Sequence, residues 1–372
     1  MPTPVPVRYR RPEAIGPPSP LDLRTMSANP APLAADGGRR GGTPFAYGGQ
    51  ALMEGVLMRG RNAIAVALRH PDGRIVTTTE RLESRIHTSR AGKWPFLRGL
   101  VVLYETLVIG TRWLVRSASV QAEEDDVELG KGTIAVTLLI TFGVAIAVFS
   151  LLPLFISSVA TSGASQGWAQ PAVEGLIQVG LFLAYLTFVS RTPDIYRVFQ
   201  YHGAEHMTIH ALEAGDPLTV TEVRKYPTAH HRCGTEFLVI LVLLSIFAFS
   251  LVGKQQPLVM ILSRFIGIPV LAAVGYEVLK IGARFRHNPV VRAIMFPGIL
   301  VQMITTKRPT DDMIEVAISS MQEALTADGN PIPAGSTIFE RDPLVLPSGG
   351  KDREPATEPV AVATTDEPPA VP

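Results

Sequence analysis

The chain has 372 residues, of which 47% are hydrophobic and only 18% charged, with a formal net charge of +1. Ordinary soluble proteins carry roughly 25% charged residues, and the mean hydropathy here is +0.23, so the composition belongs with membrane proteins. A near-neutral balance excludes a bulk electrostatic case for nucleic acid. The single cysteine excludes an internal disulfide, leaving Cys233 as a thiol in a reducing compartment or a metal ligand.

The length allows two or three folding units. Residues 1–44 are rich in Pro, Gly, Ala and Arg and lack both a hydrophobic period and the apolar core of a secretory signal, so a disordered cytoplasmic tail is expected. Residues 45–93 read as a small β-rich cytoplasmic element. The block GGQALMEGVLMRG (48–60) is punctuated by glycine, and its polar residues, Glu54 and Arg59, either complete a site or form an ion pair. Residues 63–69 and 74–80 are strand-like and joined through His70-Pro71-Asp72-Gly73. Pro-Asp-Gly between β-formers signals a hairpin, because Pro pre-sets the turn and Gly accepts positive φ.

Residues 94–130 are expected to form an interfacial helix and an acidic linker. Within 97–117, Arg98, Glu105 and Arg112 recur every seven residues with Arg116 one turn on, which makes one polar stripe on an apolar helix lying on the inner membrane surface.

Residues 131–305 form the expected membrane domain. Four apolar stretches, 133–160, 174–190, 235–253 and 257–283, are read as spans against the roughly 20 residues a bilayer requires. The stretch 289–305 holds Arg292 and Pro297 and is read as re-entrant or interfacial. Loop 161–173 has no Lys or Arg and the turn after the third span only Lys254. By contrast Arg191, Arg197, Arg224, Lys225 and Arg232 lie between spans two and three, and Arg284, Arg286 and Arg292 follow span four. The positive-inside rule then puts both termini and the loop 191–236 on the cytoplasmic side of a bacterial inner membrane. Arg264 and Glu277, in the fourth span, are costly in lipid and should face the interior; Glu277 is an extra ligand or a partner for an arginine. In 306–329, Ile314, Ile318, Met321 and Leu325 fall at helical spacing, an amphipathic cytoplasmic helix, and the Pro- and Thr-rich residues 330–372 read as a second disordered tail. The fold class is a mainly α-helical polytopic membrane protein with a small β-rich N-terminal cytoplasmic element. Its partner is the lipid bilayer, with self-association left open.

Candidate chemistry is concentrated in residues 201–237, which hold five of the eight histidines and the one cysteine. His202, Glu205 and His206 make an H-x-x-E-H, and His230 and Cys233 an H-x-x-C. Residues four apart share a helix face, so His202 and His206 can hold one ion between their imidazoles. Glu205 would stand as a base beside water activated by that ion. Alternatively the histidines are solvated interface residues or partners of Glu213.

The blocks GGQALMEGVLMRG (48–60), DIYRVFQYHGAEHMTIHALE (194–213), HHRCGTEF (230–237) and TTKRPTDDMIEVAI (305–318), with the apolar stretch after Pro95-Phe96-Leu97-Arg98-Gly99, resemble the YqhQ-like bacterial membrane proteins, an uncharacterised group labelled as metal-dependent enzymes. The resemblance covers most of residues 45–325. It implies a membrane location and a metal-dependent activity. Met207 stands where that group usually has lysine, and His231 where it has proline; the lost lysine argues against an anionic substrate held at that position.

Two readings of function follow. In the first, a divalent metal, most simply zinc, is held at a cytoplasmic-facing site by His202 and His206 with a third ligand from His230, Cys233, Glu213 or Glu277, and Glu205 is the general base of a hydrolase. In the second, His202, His206, His230 and Cys233 all bind, the ion is closed off, and the chain is a non-enzymatic scaffold or transport component. A catalytic zinc keeps an open position, whereas a four-ligand site is normally structural.

Overall fold

The computed structural model describes residues 45–82, 94–122, 131–163, 169–230, 233–252, 256–285 and 288–344. The tail expected at 1–44, the linker 123–130, and residues 345–372 lie outside the described residues.

A sheet forms the base of the fold. Strands β1 (Gly48–Leu52), β2 (Gly55–Arg59), β3 (Ala63–Arg69) and β4 (Ile75–Arg81) make an antiparallel meander, and β5 (Asp342–Pro343) adds in parallel to the edge of β4. Strand alternation sorts the side chains. Val56, Met58, Ala65, Ala67 and Ile75 enter one core, while Leu57, Ile64, Val66, Leu68 and Val76 enter another. Both faces are covered, which explains why β3 (AIAVALR) alternates small with large rather than apolar with polar. Its alanines face α10 (Asp311–Ala327), letting that helix approach until Ser320 Oγ donates to the Ala65 carbonyl at 3.1 Å. Its larger residues face α1 (Leu97–Ala122), whose Trp113 and Val120 close the opposite core.

The expected hairpin is present: Gly73 has φ +92° and its N–H donates to the His70 carbonyl, while His70 N–H donates to Arg74 O at 2.9 Å. Substituting Gly73→Val puts a β-branched residue in the left-handed region and should destabilise the protein by on the order of 1 kcal/mol or more. A thermal midpoint equal to wild type would contradict it. Residues 330–344, expected to belong to a disordered tail, are folded. Residues 330–344 lie against the core, with Ile332 and Phe339 packed on it, Thr337 N–H donating to Leu218 O, and β5 pairing with β4.

Helix α10 starts with Asp311 and Asp312 in its first turn, favourable against the helix dipole, and buries Ile314, Ile318, Met321 and Leu325 as their spacing predicts. The stripe is packing: it forms the centre of the core with α5 (Pro193–Ala214). Helix α1 turns its polar residues inward. Arg112 and Arg116 pair with Glu80, Glu105 pairs with Arg59, and Arg98 pairs with Glu277. Its outer side carries exposed Tyr104, Leu107, Val108 and Val115.

The remaining helices are apolar. Helix α2 (Lys131–Ile146) runs through a π-helical turn at Ala147–Leu151 into α3 (Leu152–Ala160). Pro153 has no N–H to give Phe149, and Leu152 N–H bonds instead to Ala147 O, the five-residue reach of a π-turn. Helix α4 (Ala169–Val189) follows. Beyond α5 and the single turn α6 (Val220–Val223) come α7 (Gly234–Val252), α8 (Pro257–Arg284) and α9 (Pro289–Thr305). Among the described residues, two helical stretches, Leu139–Ala160 and Ala169–Val189, are long and apolar enough to cross a membrane; the apolar parts of α7 and α9, Glu236–Val252 and Phe296–Thr305, are shorter. Across these helices Leu139, Leu176, Phe188, Phe247, Leu251 and Ile266 each expose 66–73% of their surface. Large apolar side chains left this bare mark an apolar contact surface.

Candidate metal centre

Helix α5 positions the centre. Pro193 at its first turn needs no hydrogen-bond acceptor, Asp194 complements the dipole, and Gly215 ends the helix with φ +80°. Between these ends the helix is buried on almost every side, from Tyr201 to Ala211. Polar residues in such a position are costly unless each finds a partner.

The histidines have theirs. His202 Nδ1 donates to the Thr305 carbonyl at 2.9 Å, and His206 Nδ1 donates to the Thr228 carbonyl at 2.6 Å. A carbonyl can only accept, so each Nδ1 carries the proton and each Nε2 the lone pair. His202 Nε2 lies 3.1 Å from Cys233 Sγ. One donor atom from each of His202, His206 and Cys233 lies within 4.8 Å of the other two, so this group could hold a metal ion. Two imidazoles oriented by backbone carbonyls, one of them with Nε2 against a thiol, show the outer hydrogen-bonding pattern that metal-binding histidines use. Burial, reinforced by the neighbouring His202 and His230, holds His206 well below the usual histidine range, so it stays neutral and able to ligate.

Glu205 completes the constellation from the sheet side. It is 3% exposed, it accepts a backbone hydrogen bond from Gly49 of β1, and its Oε2 has no hydrogen-bond partner. Burial pushes its carboxyl up to about 8, against the opposing pull of His202 and the Gly49 N–H. Glu205 Oε2 has no partner of its own, and the carboxyl interacts with His202 and Cys233, which suits a cation held by the neighbouring imidazoles and thiol. The donor set therefore fits a divalent ion.

His230 does not join this group. Gln302 clamps its backbone, Oε1 accepting from His230 N and Nε2 donating to His230 O, both at 2.9 Å. The ring then packs edge-on to His210 at 4.5 Å between centroids, lies 5.7 Å from His206, and faces Glu213 with Nε2 3.6 Å from Oε2. Glu213 thus serves His230. Glu277 is not among the converging donors and is the partner for an arginine: it accepts from Arg98 Nε at 2.7 Å and from Phe96 N–H. The Arg264 side chain and His231 lie outside the described residues. Glu54 and Arg59 do not pair with each other. Glu54, at φ +52° in the β1–β2 turn, binds Arg197 of α5 at 2.5 Å and accepts from Tyr201 OH at 3.2 Å, whereas Arg59 pairs with Glu105 at 2.5 Å. They brace the site without entering it.

Sequence reasoning missed five contributors, Thr228 among them. His210 extends the His202, His206 series by another four residues, a signal present in the sequence; its Nε2 donates to Ala229 O at 2.9 Å. Thr305, Gln302 and Gly49 act through backbone or amide contacts that no motif announces.

The sequence profile of the family described as "Protein of unknown function (DUF1385)" matches residues 94–327. The chain belongs to this family. It is 34% identical over 295 residues to the uncharacterized protein YqhQ of Bacillus subtilis (strain 168), an alignment that covers 76% of this chain and 93% of the relative. No solved structure matches. His202, Glu205, His206 and Cys233 all fall inside the DUF1385 span, while strands β1–β4 precede it.

Proposed function

We propose that the chain is a multi-pass protein of the bacterial cytoplasmic membrane that holds a divalent metal, zinc by the softness of its thiolate donor, at His202, His206 and Cys233 on the cytoplasmic side, and that the centre is hydrolytic. The observation that carries this is the convergence of three donors with the buried Glu205 carboxyl beside them, one of whose oxygens has no hydrogen-bond partner. Three protein ligands and an open position is the catalytic arrangement, four the structural one.

An ion held there supplies Lewis-acid polarisation of a substrate carbonyl or phosphoryl oxygen and acidifies nearby water. The protein's own groups do the rest. The Thr305 and Thr228 carbonyls fix the two imidazoles, the Gly49 N–H holds one Glu205 oxygen, and the other Glu205 oxygen takes the proton. Glu205 also sustains the alternative: as a fourth donor it would close the site and make the ion structural. Metal analysis of detergent-purified protein is the test. About one equivalent of divalent metal per chain is expected, and metal-free protein from a chelator-free preparation would end both readings.

The exposed apolar flanks of the helices and the Lys/Arg asymmetry support the membrane placement and the cytoplasmic termini. Thiol labelling of intact cells tests it at two exposed positions, Gly163 between the first two spans and Lys225 near the centre. Gly163→Cys should react with an impermeant reagent and Lys225→Cys should not; the reverse pattern turns the protein over.

A further inference from the structure

We propose that an open cavity of about 410 Å³ between α4, α5 and α9 binds the phosphate of an anionic amphiphile. The inference rests on the membrane placement above and is independent of the metal. The cavity lies where the C-terminal end of α4, the first turn of α5 and the end of α9 meet, and its size falls within the roughly 300–1,000 Å³ of small-ligand sites. Arg191 and Lys307 line it, together with Ser190 and Tyr196.

Its electrostatics are one-sided. Arg191 Nη1 donates to the Thr187 carbonyl at 2.9 Å, and Lys307 Nζ reaches the Met303 carbonyl at 3.4 Å. Among the described residues neither cation has a carboxylate within ion-pair distance. Two like charges that converge on one cavity repel, and an anion between them relieves that repulsion. Burial, with Arg191 adding to it, holds the Lys307 ammonium below its usual range, which agrees with under-compensated positive charge.

The surroundings select an amphiphile over a free ion. Met303 and Ile304 form part of the wall, and Phe188 and Leu300, on the helices that lead away from it, are 71% and 46% exposed. A phosphate seated on Arg191 and Lys307 would have exposed apolar helix alongside for its chains. Basic residues at the cytoplasmic boundary of apolar helices bind lipid phosphate by this combination of charge and adjacent hydrocarbon surface.

The test uses the full detergent-purified chain and native mass spectrometry. Short-chain phosphatidylglycerol, phosphatidylcholine with the same acyl chains, and inorganic phosphate are the probes. Phosphatidylglycerol should bind about tenfold or more tighter than phosphatidylcholine, and Arg191→Gln with Lys307→Gln should erase that preference. Lys225→Gln, a cation outside the cavity, should leave it unchanged. Equal binding of the two lipids by wild type, or an undiminished preference in the double variant, overturns the proposal. Inorganic phosphate that binds at Arg191 and Lys307 and displaces phosphatidylglycerol at equal concentration keeps the anion site but overturns the amphiphile as its occupant. Carbonate extraction of membranes is run beside it. A chain that washes off refutes the membrane placement; one that stays while showing no preference refutes the cavity alone.

Discussion

Substituting His206→Ala should abolish metal binding, whereas Glu205→Gln should retain it. His206 supplies one of three converging donors, and its removal leaves two. The loss should exceed the roughly 10–100-fold in affinity that removing only an outer hydrogen-bond partner costs. Cys233→Ser should behave like His206→Ala, because a hydroxyl is a poor ligand for the ion a thiolate holds. Glu205→Gln keeps the size of a side chain that is 3% exposed and removes only its charge. If Glu205 is the base, metal content stays near one equivalent and the function in vivo is lost. If metal leaves with the Glu205 carboxylate, that residue is a fourth ligand, the site is closed, and the hydrolytic reading fails. Inductively coupled plasma analysis of the four proteins, each purified identically, decides between these outcomes.

The centre was legible in the sequence where its geometry is local. His202 and His206 share a face because helices repeat every 3.6 residues, and the Pro193 and Gly215 boundaries that make α5 a helix are themselves punctuation. The hairpin at Gly73 was legible for the same reason. What failed was non-local. Glu54 and Arg59 look like a pair along the chain, but they are separated by a strand that advances ~3.3 Å per residue, so each finds a partner on a different helix. The H-x-x-C spacing suggests that His230 and Cys233 ligate together; the Gln302 clamp on the His230 backbone directs that ring to Glu213 instead. The polar stripe of α1 was visible and Glu277 was one candidate partner for an arginine, but not that Glu80 and Arg59 would take up the rest of the stripe from the protein side. Strand β5 has two residues, too few for any period to show.

Gly203→Ala should damage the centre from a position that offers no ligand. A Cβ at residue 203 would lie 2.1 Å from the Lys307 carbonyl oxygen and 3.2 Å from Thr228 Cγ2. The first contact is with backbone, so it cannot be relieved by turning a side chain. Lys307 N–H is also tied to Phe199 O at 2.8 Å, one turn earlier on α5, which holds the segment against the helix. Segment 305–307 must therefore shift outward, and the Thr305 carbonyl that orients His202 shifts with it. On the other side, Thr228 carries the carbonyl that orients His206. One methyl group thus loosens both imidazoles. We expect a stability loss of about 1–3 kcal/mol from overpacking and a fall in metal affinity of about tenfold or more from the disturbed outer hydrogen bonds. Gly180→Ala is the control, since a Cβ there meets nothing within 4 Å. In α4 it should be neutral or stabilising by up to about 1 kcal/mol from helix propensity. Metal titration and thermal midpoints on both variants read the two effects separately. Full metal affinity in Gly203→Ala would mean that the close approach of residues 305–307 to α5 does not set the ligand geometry.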